Sequence, residues 1–415
     1  MITPEDILVE SFSTPSRNLR IAIVTETFPP EVNGVAMTLG RLVNGLLQRG
    51  HSVQLVRPRQ PLEGKLTTPE GLDEVLCRGI QIPAYKDLRF GLPLKNRLSK
   101  MWLNNRPDIV HVVTEGPLGW SAVAAARKLH LPVTSSFHTN FHSYSNHYGL
   151  GLLKTPIESY LRKLHNKTDA TLVPTRALVH ELQQRGFKNV SLLSRGIDTS
   201  LFSPTKRSLV LRAKWRAAPD DLVLMFVSRL AKEKNVGLAI AAYRAIKEKL
   251  PQTRMVFVGD GPMRKQLEET CPDAIFTGVK KGEELAAHYA SADIFLFPSL
   301  TETFGNVITE AMASGLAVLS YDKAAAKELI EHGKNGMVVP PGDELKFVNT
   351  AASLALDTPG IQRIRQAAAP SIAHLGWDAI HNSFAQTLLR TVEHHEMANP
   401  GFIKVMQPAI SQPSA

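Results

Sequence analysis

The sequence predicts an α/β protein built from two doubly wound domains. Three observations carry this. Short apolar runs alternate with longer amphipathic stretches, which marks a βαβ series with parallel strands. The alternation stops at a Ser-, Gly- and Pro-rich seam, "SRGIDTSLFSP" (194–204), and then starts again. The chain has 415 residues, more than one ordinary core accommodates. The expected boundaries are 1–194 for the first domain and 195–376 for the second, with 399–415 as an aperiodic, mobile tail.

Taken in order, the first half offers strands at "RIAIVT" (20–25), "SVQLVR" (52–57), "DIVHVV" (108–113), "PVTSSF" (132–137) and "ATLVP" (170–174). After the first comes "VAMTLGRLVNGLLQRG" (35–50), with Leu39, Leu42, Val43, Leu46 and Leu47 at helical spacing and Gly50 as a stop. The second half repeats the scheme with "LVLMFVS" (222–228), "RMVFVG" (254–259), "AIFTG" (274–278), "DIFLFPS" (293–299), "AVLSY" (317–321) and "GMVVPP" (336–341). Ligands of such folds sit beyond the C-terminal ends of the strands. With two such domains, the cleft between them is the expected site.

Composition narrows the function classes. The hydrophobic content of 43% and charged content of 21% are those of a soluble globular protein. Cys77 and Cys271 are the only cysteines, so neither a disulfide framework nor a zinc site is expected, which suits a reducing cytoplasm. No stretch approaches the roughly 20 apolar residues of a membrane span. The lead-in "MITPEDILVESFSTPSRN" has acids where a signal peptide has lysines. The net charge is +10 and uneven: residues 1–200 carry 24 Lys and Arg against 16 Asp and Glu, while the remainder carries 24 against 22. A basic half points to an anionic partner or simply to solubility.

The most informative stretch is "TETFGNVITEAMASG" (301–315). It follows an apolar strand and reads as a loop and then a helix, with Val307, Ile308 and Ala311 inward and Gly315 as the stop. A helix N-terminus presents unpaired N–H groups that suit a phosphate, and Gly305 lets the backbone come close. Glu302 lies before that helix and Glu310 two turns within it. Eight positions span about 12 Å of helix. That is poor spacing for an acid and base sharing one bond, and good spacing for gripping two hydroxylated parts of one ligand. The plainer reading is a capping acid and a surface glutamate.

Other stretches are weaker alone. "VSRLAKEKNV" (227–236) sets Arg229 and Lys234 just past a strand, where a cation pair can neutralise a leaving diphosphate; a solvated basic loop also fits. Gly34 in "EVNGVAMTLGR" is a second place for close backbone approach, or ordinary turn chemistry. His138 stands nearest the strand end in "SSFHTNFHSYSNHYG"; with His142 and His147 it does not form a metal-ligand spacing, and a hydrogen-bonding role is more economical. "VGDGPMR" fails as a dinucleotide fingerprint because Arg264 replaces the third glycine, and reads as a corner with Pro262 at the helix start. With no Asp-x-Asp triplet, no metal ligand set is evident and no cofactor is expected. In "YKDLRFGLPLKNRLSKMWLNNR" (85–106), six cations stand against Asp87, and Leu94, Leu98, Met101 and Trp102 share a helical face. This predicts either an anionic-membrane element or a helix packed by its apolar face.

Together, "ETFPPEVNGV", "FHTNF", "RGIDTSLFSP", "SRLAKEKNV", "VGDGPMR", "PSLTETFGNVITEAMASGLAV" and "GMVVPPGD" resemble the retaining glycosyltransferases of family 4. The resemblance covers roughly residues 19–390 in the family's order. It is strongest to nucleotide-sugar-dependent α-mannosyltransferases and to sulfolipid and glycolipid synthases. It implies the GT-B fold, two Rossmann-like domains facing a central cleft, with a C-terminal helix at about 377–393 completing the first. It implies that Glu302 contacts the donor sugar and Glu310 the nucleotide ribose. Arg229 and Lys234 would contact the diphosphate, with the backbone of Phe304, Gly305 and Asn306 lying along it. Gly34 and His138 would approach the donor from the first domain, and Gly278 and Val279 would border the nucleobase. One departure is Val-Asn-Gly where the family has a double glycine. The expected partners are a nucleotide-diphosphate sugar (GDP-mannose or a UDP-sugar) and a lipid or glycan acceptor, without nucleic acid, at a cytoplasmic or peripheral membrane location. The competing class is a non-catalytic membrane-surface or nucleic-acid-binding protein, which would leave the acid–Gly–acid stretch unexplained.

Overall fold

The computed structural model describes residues 17–31, 33–60, 69–82, 85–138, 154–302 and 304–400. The start of the lead-in, His142, His147 and the tail from residue 401 lie outside them.

Two parallel sheets organise the chain. The first has the strands β1 (Arg20–Val24), β2 (Ser52–Pro58), β3 (Leu72–Cys77), β6 (Ile109–Val112), β7 (Val133–Ser136), β8 (Ala170–Val173) and β9 (Val190–Leu192), in the order β3-β2-β1-β6-β7-β8-β9. A separate antiparallel hairpin pairs β4 (Gly79–Ile82) with β5 (Tyr85–Gly91). The second sheet has β10 (Val223–Val227), β11 (Arg254–Val258), β12 (Ile275–Phe276), β13 (Ile294–Phe297), β14 (Ala317–Tyr321) and β15 (Met337–Val339), in the order β12-β11-β10-β13-β14-β15. All its pairings are parallel. By internal contacts the chain forms two compact units. One takes the described residues to Thr27, Leu42–Thr134 and those from Ala385; the other takes Phe28–Arg41 and Ser135–Phe384.

Every strand expected from the sequence is present. Those not expected are β3, β9 and the hairpin. The strand "LDEVLC" of β3 is mostly half-exposed and carries two acids, as an edge strand does, so it lacks the apolar run of its neighbours. The segment 85–106 is strand first and helix only over Lys95–Asn104. On that helix Leu98 and Trp102 are buried, and the Trp102 indole N–H donates to Gln54 Oε1 at 3.0 Å. The apolar face is therefore spent on internal packing, while Lys95, Arg97 and Lys100 face solvent. No helix among the described residues is long and apolar enough to cross a membrane.

Both sheets bury polar groups with partners, as low-dielectric interiors require. Ahead of β13, Asp293 accepts from Arg207 (2.9 Å), Arg212 (3.1 Å), Arg365 (2.9 Å) and the Val223 amide (2.9 Å). Arg212 is 1% exposed and donates further to the carbonyls of Ala218 and Pro219. This ties the N-terminal ends of β10 and β13 together.

On β6, His111 is fully buried, with Nδ1 2.9 Å from the Thr134 hydroxyl, and burial pushes its pKa down to about 3. In the unfolded chain the ring takes a proton below about 6.5. Its neutrality thus supports the fold above that value, and the support is lost as pH falls from 6.5 toward 3, at about 1.4 kcal/mol per unit. Urea midpoints taken from pH 7 to 4.5 should fall more steeply for the native chain than for His111→Asn. Parallel slopes would show that His111 is not held neutral.

Candidate active site

The order of the second sheet reverses between β10 and β13, and a doubly wound sheet places its ligand at such a switch point. The two loops that leave these strands carry Arg229 with Lys234 and Glu302 with Gly305. They are fastened to one another: the Lys234 ammonium is paired with Glu302 Oε1, and the Thr301 hydroxyl donates to the Glu233 carbonyl at 3.2 Å. Ser299 also donates to Glu302 Oε1 at 2.9 Å. Both charged side chains are mostly buried, at 19% and 17% exposure, so their attraction is screened less than that of a surface pair.

Neighbouring loops hold this pair in place. The Leu230 amide donates to the Asp260 carbonyl at 2.9 Å, and the Met263 amide to the Leu230 carbonyl at 3.0 Å. Gly259 and Gly261 permit that contact. A Cβ on Gly259 would lie 2.0 Å from the Ser228 carbonyl oxygen, and one on Gly261 2.4 Å from that of Leu230. The glycines of the failed fingerprint are thus used to press one loop on another. The following helix starts at Arg264, two residues later than expected, with Pro262 ahead of it. From β14, Lys323 donates to the Leu300 carbonyl at 2.8 Å, and the Ala325 amide to the Phe304 carbonyl at 2.8 Å. Burial lowers the pKa of Lys323, against the pull of Glu181 and Glu302.

The helix Asn306–Ala313 begins at Gly305, whose φ of +92° is left-handed and which has no side chain to cap it. The Ile308 amide donates to the Gly305 carbonyl at 2.9 Å, which leaves those of Asn306 and Val307, among the described residues, for another acceptor. Ile308 and Ala311 are buried, as expected; Val307 is only partly so. Gly315, with φ +73°, ends the helix. Phe304 is buried. Glu310 is partly buried, and its Oε2 accepts from the Tyr289 hydroxyl at 2.9 Å. Burial raises its pKa to about 7, although the Tyr289 bond and the charge of Arg41 work downward. Tyr289 is itself fully buried, packed against Phe202 and Phe295 with ring centroids 5.8 Å away in each case.

The remaining expected residues are placed as follows. Arg229 is paired with Glu233 and is 63% exposed, so this structure does not bring it to Glu302. Gly278, with φ +72°, accepts from the Gly259 amide at 2.8 Å beside β11, and Val279 next to it is 62% exposed. Gly34 opens the helix Gly34–Gln48, and a Cβ there would meet nothing within 4 Å. Asn33, the departure from a double glycine, caps that helix by accepting from Val35 and Ala36 at 3.1 and 2.8 Å. His138 follows β7, its Nδ1 2.7 Å from Arg195 Nη2.

Sequence reading missed Tyr289, Lys323 and Glu26. Glu26 follows β1 at the reversal point of the first sheet, is 7% exposed and accepts from the Leu118 amide at 3.3 Å. Burial lifts its pKa to about 7.

Comparison with known proteins gives this geometry a family. A model described as Glycosyltransferase Family 4 matches residues 32–201, and one described as Glycosyl transferases group 1 matches 221–357. A GDP-mannose-dependent alpha-mannosyltransferase of Corynebacterium glutamicum is 34% identical over 372 residues, covering 89% of this chain and 88% of that protein. The chain belongs to glycosyltransferase family 4. The glycosyltransferase is also 31% identical over 387 residues to the sulfoquinovosyl transferase SQD2 of Arabidopsis thaliana, covering 89% and 72% of the two chains. Its fold is GT-B. It superposes on sucrose-phosphate synthase from Thermosynechococcus elongatus with a TM-score of 0.72 at 17% identity, over 91% of this glycosyltransferase and 100% of that chain.

Proposed function

We propose that this enzyme moves a hexose, of mannose or glucose type, from a nucleotide-diphosphate sugar to a hydroxyl of a lipid or glycan acceptor with retention of configuration. The observation that carries the reading is the Lys234–Glu302 pair lying where the helix Asn306–Ala313 begins, at the reversal of the second sheet. A lysine and the first amides of a helix suit a diphosphate. A carboxylate beside them suits sugar hydroxyls. Residues 195–376 then form the donor domain, and 1–194 the acceptor side. GDP-mannose is the favoured donor, because several similar curated proteins are named for it. A UDP-sugar is the second candidate.

In this reading Lys234, Arg229 and the amides after Gly305 take up the charge of the departing diphosphate. For Arg229 this requires release from Glu233. The acceptor oxygen attacks from the face the diphosphate leaves, and a phosphate oxygen takes its proton. Glu302 and Glu310 act as grips on sugar and ribose. Gly278 and Val279 border the base, and Gly34 and His138 also meet the donor. Thermal stabilisation by GDP-mannose, UDP-glucose and ADP-glucose in turn tests the donor, since bound ligand stabilises by mass action. If no nucleotide sugar stabilises the protein and none is hydrolysed to free nucleotide, the reading fails.

Tyr289 gives a sharper test of the ribose grip. Tyr289→Phe frees one Glu310 oxygen from its partner and removes a bond that lowers its pKa. The donor KM should rise several-fold with kcat nearly unchanged. The rise in KM on acidification, expected below about pH 7 as Glu310 takes a proton, should begin at higher pH. An unchanged KM profile would remove Glu310 from donor binding.

A membrane-borne acceptor accords with the similarity to proteins named alpha-monoglucosyldiacylglycerol synthase and with the exposed Lys95, Arg97 and Lys100. The enzyme would then work at the cytoplasmic face of an anionic membrane. Neutralising these three should halve co-sedimentation with phosphatidylglycerol vesicles or better, at about 1 kcal/mol per charge. Unchanged binding would remove this surface.

A further inference from the structure

We propose that Arg195 is a positioning residue for His138, holding its imidazole in the neutral tautomer with the proton on Nε2, so that His138 meets substrate as a hydrogen-bond donor and not as a general base. The proposal rests on the reading that His138 faces the substrates. It starts from one contact. Arg195 Nη2 lies 2.7 Å from His138 Nδ1. A guanidinium has donors only, so Nδ1 must be the acceptor. A neutral ring that accepts at Nδ1 carries its hydrogen on Nε2. The guanidinium is desolvated, which lowers its pKa to about 10 and still leaves it charged at neutral pH. A second proton on the ring would need that bond to break beside a fixed positive charge.

The local chain explains why the contact is made. His138 leaves the buried end of β7 directly after Phe137, which is fully buried, with its ring 5.2 Å from that of His165 and 5.7 Å from that of Phe187. Arg195 comes just before Gly196, where any Cβ would lie 2.5 Å from the Trp377 ring. Next, Ile197 bonds to the Leu375 carbonyl at 2.9 Å. Both backbones are thus fixed on either side of the pair. The assignment agrees with a reaction in which the acceptor proton goes to the leaving phosphate, because an Nε2–H imidazole cannot take it.

Nitrogen NMR of the full-length protein with ring-labelled histidine reads the tautomer, with the His138 signals assigned by their loss in His138→Gln. The native chain should show the hydrogen on Nε2. Arg195→Met should shift the signals toward the other tautomer or an average, and Arg195→Lys, which keeps a charged donor, should restore them. A hydrogen on Nδ1 in the native chain overturns the proposal even if no Arg195 variant folds; so does a spectrum that Arg195→Met leaves unmoved. In transfer assays Arg195→Met should lower kcat/KM about tenfold, the size of one lost hydrogen bond, and should add nothing to His138→Gln. Additive losses overturn it. If His138→Gln keeps full transfer while the tautomer is as assigned, what fails is the reading that His138 faces the substrates.

Discussion

Replacing Lys234 with Met should slow sugar transfer about 10²- to 10³-fold, the range for deleting one preorganised charge donor at a site of developing negative charge. The substitution keeps an unbranched side chain one atom shorter and removes the ammonium. Two effects combine. On the proposed assignment the departing diphosphate loses a mostly buried cation, and Glu302 loses the partner beside which it accepts from Ser299. Glu302→Gln breaks the same ion pair from its other end while keeping the shape of the side chain. Because the two side chains act through one contact, their losses should not add. The double variant should be no more than a few-fold slower than Lys234→Met. Steady-state transfer rates with saturating donor decide this. A Lys234→Met enzyme within threefold of the native rate would sink the assignment of the lysine to the leaving group.

The largest loss of stability should come from Asp293→Ala. One carboxylate receives three guanidinium groups and a backbone amide, and Arg212 among them is 1% exposed. Removing the acid leaves a buried cation without its countercharge, which costs about 3 to 5 kcal/mol. For a domain of this size that corresponds to a fall in Tm of roughly 10 °C. Asp293→Asn should fall between, since the amide keeps an acceptor and the shape but not the charge. Adding Arg365→Met to Asp293→Ala should recover part of the loss, because less unpaired charge is left behind. Calorimetric scans of the three chains test the order; an Asp293→Ala chain melting within 2 °C of the native one, on the order of 1 kcal/mol, contradicts the network's role.

Much of this architecture could be read from the chain itself. Strands such as Val223–Val227 and Ile294–Phe297 are wholly buried and so appear as unbroken apolar runs. The break at Gly305 and the stop at Gly315 follow from left-handed backbone that glycine adopts freely. What escaped notice did so for physical reasons. An edge strand such as Leu72–Cys77 is half-exposed and shows no such run. Tyr289 looks like a core aromatic, and only its hydroxyl, 21 positions from Glu310 in the chain, betrays another task. Arg195 and His138 are 57 positions apart and belong to different motifs, so nothing local links them. The Arg229–Glu233 pair is one helical turn in length within a loop, and spacing alone does not tell it from two solvated charges.

Lys234 and Glu302 are 68 positions apart, yet each is pegged to the end of a strand, and those strands are neighbours. The chain between them runs back along the sheet three times, through the helices Val236–Lys249, Arg264–Thr270 and Gly282–Ser291, before it returns. Its length is therefore not a dimension of the pair. Residues could be added or removed at the exposed turns of that detour, as around Pro251 and Gln252, and the lysine would still find the glutamate. A fold arranged in this way lets the rim of the protein drift over generations while the distance across which the two charges meet stays set by the spacing of adjacent strands.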